Sequence, residues 1–116
     1  MTRAVEILLY TLHPGTSDAF HTLMTNVSVP LHESAGIDVV TYGKSEHDPD
    51  AYYLIRAYDN LHHLEATQEA FYKSDAWRNG PRSEIIARIA TSLKSVIDMR
   101  AEAVDALRRN RDLKLI

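Results

Sequence analysis

Six histidines, six tyrosines and the lack of any cysteine set the limits on the chemistry open to this chain. Without a thiol there is no disulfide, no thiolate metal site and no cysteine nucleophile. His62 and His63 are adjacent, so on a helix they diverge by roughly 100° and do not converge on one ion. No H-E-x-x-H or H-x-x-x-H pair occurs, and no metal site is expected. His62, Glu65 and Glu69 share one helix face, which a solvated polar surface explains equally well. A single histidine such as His32 or His63 would suffice to ligate a haem, but no motif calls for a cofactor. His32, on the irregular Pro30-Leu31-His32-Glu33 stretch, is the best candidate for a general base, with an ordinary pKa near ~6.5. No Ser-His-Asp order, Walker loop or G-x-G-x-x-G is present, so triad hydrolysis and nucleotide binding have no support.

The second constellation is Glu6, Tyr10, Tyr42, Arg56 and Tyr58. Strand alternation places these five on one sheet face. They form a candidate substrate-binding set: tyrosine hydroxyls could orient an oxygenated ring and Arg56 could steady its anion. The competing reading is an interface in which Glu6 and Arg56 pair and the tyrosines pack, since tyrosine and arginine are enriched at interfaces. Both hold if a pocket remains between subunits or between sheet and helices.

The elements that must position these groups follow from periodicity. Residues 4–12, AVEILLYTL, read as a strand. Phe20, Leu23, Met24, Val27 and Leu31 recur at helical spacing over 16–35, with Thr16 or Ser17 as cap and Pro30 as a kink or end. Strands are predicted at 37–45 and 51–58 as a hairpin. Asn60 caps a helix to about Lys73, bearing Leu61, Leu64, Gln68 and Phe71 on one side. Trp77 falls on the loop that follows. Pro81 opens a short helix with Ile85, Ile86 and Ile89 buried, 92–99 reads as a fourth strand, and 101–110 as a charged helix. The order β-α-β-β-α-β is that of the split βαβ, ferredoxin-like motif: an α+β fold with one four-stranded antiparallel sheet and helices on one face. One ferredoxin-like domain spans 1–116, with its core at about 4–99 and a helical extension at about 100–116.

Alternation sorts the strand residues into two sets. Val5, Ile7, Leu9, Ile37, Val39, Tyr53, Ile55, Ala57, Leu93, Ile97 and Met99 are nearly all apolar, and are expected under the helices. Glu6, Leu8, Tyr10, Leu12, Asp38, Val40, Tyr42, Tyr52, Leu54, Arg56, Tyr58, Lys94, Val96 and Asp98 are mixed, and are expected on the open face. Leu8, Leu12, Val40, Leu54 and Val96 there would need cover. A second copy of the chain, packed sheet to sheet, is the economical cover.

Composition sets the outer bounds. The chain is 45% hydrophobic and 25% charged, with 13 basic and 16 acidic residues and a net charge of −3. Nucleic-acid binders carry a basic excess, which is missing here. No apolar run approaches the ~18 residues needed to span a membrane. Met1-Thr2-Arg3-Ala4 runs straight into a strand-like segment containing Glu6, unlike a signal peptide. Asn26-Val27-Ser28 matches a glycosylation sequon without a secretory signal to make it useful. A cysteine-free chain suits a reducing compartment, and a cytoplasmic location is expected.

Three stretches carry a resemblance. VEILLYTLHPG, GIDVVTYGKS and YYLIRAYDNLHHLEATQEAFYKSDAW together resemble the NIPSNAP family of the dimeric α/β-barrel superfamily, over roughly the first 100 residues. The best local features are Tyr10-Thr11-Leu12-x-Pro14-Gly15 and Tyr58-Asp59-Asn60-Leu61. The resemblance implies a ferredoxin-like subunit and a homodimer formed through sheet faces. It implies no particular reaction: the function expected is small-molecule binding in an aromatic-lined pocket. The alternative is a cofactor-independent oxygenase or isomerase on a small phenolic or cyclic substrate, because the superfamily includes cofactor-free monooxygenases, haem-degrading enzymes and lactone isomerases. The chain departs from the family pattern at Leu8, where the first strand commonly has Arg, and at Arg56, where the third commonly has Trp. A shared anion site built on that first-strand Arg therefore does not carry over.

Overall fold

Period-two stretches and amphipathic stretches alternate along the chain and become its strands and helices. The computed structural model describes residues 1–114, with side chains through residue 111. Its strands are β1 (Thr2–Leu12), β2 (Asp38–Lys44), β3 (Ala51–Tyr58) and β4 (Ile89–Arg100). Its helices are α1 (Ser17–Leu23), α2 (Val29–Ser34), α3 (Leu61–Lys73), α4 (Asp75–Arg78), α5 (Arg82–Arg88) and α6 (Ala101–Lys114). The sheet order is β2-β3-β1-β4, with every neighbour antiparallel. The helices of the β-α-β-β-α-β unit cover one face, as the element order requires. Trp77 lies buried on α4 rather than on a loop, and β4 runs further at both ends than 92–99.

Along β1 and β3 the two faces are the reverse of the expectation, whereas Ile37 and Val39 do lie under the helices and Val40 on the other face. Leu8, Leu12, Tyr52, Leu54 and Tyr58, from the mixed set, pack beneath the helices against Phe20, Met24, Leu64 and Phe71. Val5 and Ala57, from the apolar set, face the other way, and Leu9, Leu93 and Ile97 are 51%, 69% and 40% exposed. Alternation separates the two sets but does not say which one the helices choose. The choice here is set by α3, whose Gln68 and Tyr72 reach Glu6 and Arg56. The appended α6 takes part of the opposite face: Val104 joins Val5, Val40 and Ala57. A bulge between Val39 and Thr41 adds a residue to β2, so Val39 and Tyr42, three apart, share the first cluster while Val40 joins the second. Asp38 ties α6 down, accepting from Arg108 Nη2 at 2.8 Å and Arg3 Nη1 at 2.7 Å. Burial raises its pKa, but these guanidiniums outweigh it and hold the carboxyl below the usual value.

The first helical stretch departs from regular spacing. Residues Met24–Ser28 form a π turn between α1 and α2, which shifts the phase of everything after it. Val27, expected inward, is 42% exposed, while Val29 and His32 turn inward instead. Pro30 sits in the first turn of α2, directly after the π turn, and the stretch continues to Ser34 rather than ending near Val29. Thr16 occupies the cap position but donates its hydroxyl to His13 O at 2.7 Å rather than capping α1. Asn60 does cap α3, accepting from His63 N at 2.8 Å. Leu61 and Ile86, expected inward, are 55% and 50% exposed.

Candidate functional site

A cross-strand pair starts the site. Glu6 on β1 and Arg56 on β3 stand directly opposite in the ladder and point under the helices. Both are essentially fully buried. Arg56 Nε donates to Glu6 Oε1 at 2.7 Å, and Nη2 lies 2.5 Å from the same oxygen. Burying two charges is costly unless they are paired and their remaining polar atoms are satisfied. Three helical residues supply that satisfaction. Gln68 Nε2 donates to Glu6 Oε2 at 2.7 Å and to Tyr58 Oη at 3.2 Å. Arg56 Nη1 donates to Tyr72 Oη at 2.7 Å and to His32 Nε2 at 3.0 Å. α3 therefore provides both Gln68 and Tyr72, one turn apart on the face that meets the sheet.

His32 arrives from α2, and the end of that helix fixes it. Gly36 takes φ 82°, its N–H donates to Glu33 O, and Ile37 N donates to His32 O at 2.9 Å. This is the paired closure by which a left-handed glycine terminates a helix. The imidazole packs 4.5 Å from the Phe71 ring and 6.2 Å from Trp77. Its Nδ1 lies 2.7 Å from Ser28 O, which can only accept, so Nδ1 carries the proton and Nε2 offers a lone pair to Arg56. Burial, and then the Arg56 charge, push the His32 pKa down to about 4. The ring is neutral at pH 7, and its one lone pair already holds a guanidinium proton. His32 thus acts as a clamp on Arg56 in this arrangement.

The network reaches solvent on its β4 side. Tyr72 is 37% exposed, and the Lys94 ammonium stands 3.8 Å from Glu6 Oε2 with its side chain 52% exposed. Ser92, Lys94, Val96 and Asp98, the β4 residues on the same face, are all exposed, so the helices cover β1 and β3 but not this edge. Tyr10 lies half-buried alongside, close enough for Arg56, Tyr72 and Glu6 to act on its hydroxyl. Burial raises the Tyr10 and Tyr58 phenols above their ordinary pKa, with Arg56 pulling the other way. Both remain neutral hydrogen-bonding groups.

The six residues singled out from the sequence therefore divide. Glu6, Arg56, Tyr58 and His32 meet in one network, with Tyr10 at its margin. Tyr42 does not join them. It lines a separate cavity of about 410 Å³ at the β2 edge, with His21, Lys44, Tyr53 and Arg111. Gln68 and Tyr72 were missed as functional groups. Gln68 reads from the sequence as a helix-face position, and its offset of four from Tyr72 is the available signal. His63 accepts from Asp59 N at 3.0 Å, a local role at the start of α3. Among the described residues no group of three His, Asp or Glu could hold a metal ion, and no helix is long and apolar enough to cross a membrane.

The NIPSNAP family model matches residues 5–97. The chain belongs to the NIPSNAP family. All four strands and the helices between them fall largely within that NIPSNAP match, while α6 lies beyond it. Two solved relatives share the fold. A NIPSNAP-like domain protein from Burkholderia xenovorans is 13% identical with a TM-score of 0.77, over 85% of this chain and 86% of its own. A NIPSNAP family protein of unknown function from Agrobacterium tumefaciens is 18% identical with a TM-score of 0.76, over 84% and 87%. Likeness at such identities carries the fold alone. Among curated proteins none matches the sequence.

Proposed function

We propose that this NIPSNAP protein binds a small cyclic, oxygen-bearing molecule, such as a phenol, on the helix-covered face beside β4. The observation that carries this reading is the buried Glu6–Arg56–His32 network, whose outward members, Tyr72 and Lys94, stand along an edge the helices leave open. An ion pair of this kind adds little net stability over an apolar core, so a use in recognition supplies its reason. Arg56 holds Tyr72 Oη as an acceptor and leaves that hydroxyl proton to a ligand oxygen. Lys94 supplies a cation for a ligand that ionises.

Turnover by a cofactor-independent oxygenase or isomerase is the second reading, and Arg56 would stabilise the phenolate it needs. Binding is favoured over turnover because His32, the base candidate, has its lone pair engaged with Arg56. Thermal shift with a panel of phenols and cyclic alcohols tests the proposal. A ligand at 100 times its Kd stabilises by about 2.7 kcal/mol, which is several degrees for a chain of this length. Tyr72→Phe should abolish that shift while keeping the fold. A panel without effect, or shifts equal in wild type and Tyr72→Phe, would remove the site.

We also propose that the open face is covered by a second copy of the chain. Leu9, Leu93 and Ile97 are exposed there, beside the half-buried Ile7 and Ile55. Such a contiguous apolar surface marks an interface, and two-fold pairing is its commonest form. Light scattering should give twice the chain mass of 13.1 kDa.

A further inference from the structure

Strand β2 is a sheet edge, and a cavity of about 410 Å³ wraps around it, on the far side of β3 from β4. His21 and Thr25 line it from the first helical stretch, Tyr42 and Lys44 from β2, Tyr53 from β3 and Arg111 from α6. Gly43 shapes it: a Cβ there would lie 3.1 Å from Tyr53 Oη, so only glycine lets that ring lie across the strand without displacement. Two aromatic rings and two cations thus share one small concavity.

The charges in it are unevenly satisfied. Lys44 pairs with Asp18, which is almost fully exposed and sits on the rim. Arg111 lies over the Tyr42 ring, 5.3 Å from its centroid, and is anchored by Nη1 donating to Val39 O at 2.6 Å. Its remaining edge is poorly used. Nε is buried without a hydrogen-bond partner, and Nη2 stands 3.6 Å from the half-exposed Glu33. The Nε–Nη2 edge of a guanidinium fits a carboxylate in a two-pronged pair. His21, which pairs with Tyr52 Oη at 2.6 Å, has its pKa lowered by burial and then by Lys44, so it adds no positive charge at pH 7.

We propose that this cavity binds a small aromatic carboxylate, its ring along the β2 edge at Gly43, where Tyr42 and Tyr53 flank it from the two sheet faces, and its carboxylate on Arg111 and Lys44, displacing Glu33. The volume falls at the lower end of small-molecule pockets, which suits one or two rings. Arg111 belongs to α6, outside the residues 5–97 matched by the family model. The cavity is independent of the phenol site beside β4.

Amide NMR on the full 15N-labelled chain, titrated with sodium benzoate and with benzyl alcohol, tests it. Benzoate should shift the Thr25, Gly43 and Lys44 amides saturably, and benzyl alcohol should bind at least about tenfold more weakly. Arg111→Gln should weaken benzoate by about tenfold or more, Lys44→Gln should weaken it too, and Glu33→Gln should tighten it by removing the competing carboxylate. Lys44 and Glu33 are surface residues, so those variants report even if Arg111→Gln perturbs α6. Absence of benzoate binding, equal binding of the alcohol, or Lys44→Gln and Glu33→Gln that bind as wild type each overturn the proposal. Shifts confined to Gln68, Tyr72 and Lys94 would also overturn it, and would instead speak for the site beside β4.

Discussion

Acidification should destabilise this protein chiefly through one residue. His32 is buried, its Nδ1 proton is committed to Ser28 O, and its Nε2 lone pair faces Arg56 Nη1 at 3.0 Å. Protonating Nε2 would set two cations against each other at hydrogen-bond distance. The folded-state pKa lies at about 4, against ~6.5 in the unfolded chain. The unfolded state therefore takes up the proton first as pH falls. Stability is fully present above ~6.5 and drains away towards pH 4. At about 1.4 kcal/mol per pH unit, the loss across that window is about 3 kcal/mol. That is a large part of the 5–15 kcal/mol typical of a domain. Urea titrations at pH 7, 6, 5 and 4 measure it. With a slope of roughly 1.5–2 kcal/mol per molar, the midpoint should fall by about 1.5–2 M. His32→Gln keeps an acceptor near Arg56 without a titrating proton, and should flatten this dependence whatever its own stability at pH 7. His21, its pKa lowered mainly by burial, is common to both proteins, so their difference isolates His32. Asp38 loses its contribution only below its ordinary carboxyl range, outside the window. Equal slopes in wild type and His32→Gln would refute the reasoning.

Other perturbations have equally definite outcomes. Glu6→Gln leaves the Arg56 charge buried without its counterion and should cost about 3–5 kcal/mol in chemical denaturation, whereas the double change Glu6→Leu with Arg56→Met should recover much of that. Leu93→Glu places a charge on the open sheet face at a residue 69% exposed in the isolated chain; light scattering should then report monomer, with the secondary structure by circular dichroism unchanged. Asn60→Ala removes the α3 cap and should cost about 1 kcal/mol, with faster amide exchange at His63.

Much of the architecture was legible because it rests on short-range signals. The period-two strands, the Asn60 cap and the turn glycines are each written within a few residues. The direction in which the sheet faces was not. Both sets of strand side chains are hydrophobic enough to be buried, and the choice depends on Gln68 and Tyr72 meeting Glu6 and Arg56, contacts with sequence separations of 62 and 16. The Glu6–Arg56 pairing was visible once alternation was applied, because the two residues belong to strands that pair in register. Its joining to His32 was hidden by the π turn, which no spacing rule for regular helices anticipates. The cavity at the β2 edge was out of reach for another reason: Arg111 and Lys44 are 67 positions apart, and the bulge at Val40 and the return of α6 bring them together.

The π turn at Met24–Ser28 has a consequence for how this protein can change. It holds one residue more than an α-helical path of the same span would need. Deleting a single residue there would let the stretch become an uninterrupted α-helix with Val29 and His32 still facing inward, because the turn already absorbs the extra residue. Straightening the turn with every residue retained would instead rotate everything downstream by about 100°. Val27 would then regain the inward position that its spacing predicts, and His32 would swing off Arg56. The helical stretch thus has something like a reading frame, and the π turn keeps it. Substitutions within 24–28 that disfavour the turn would act on the inward face of α2 as a whole, and with it on the residue that holds the central guanidinium.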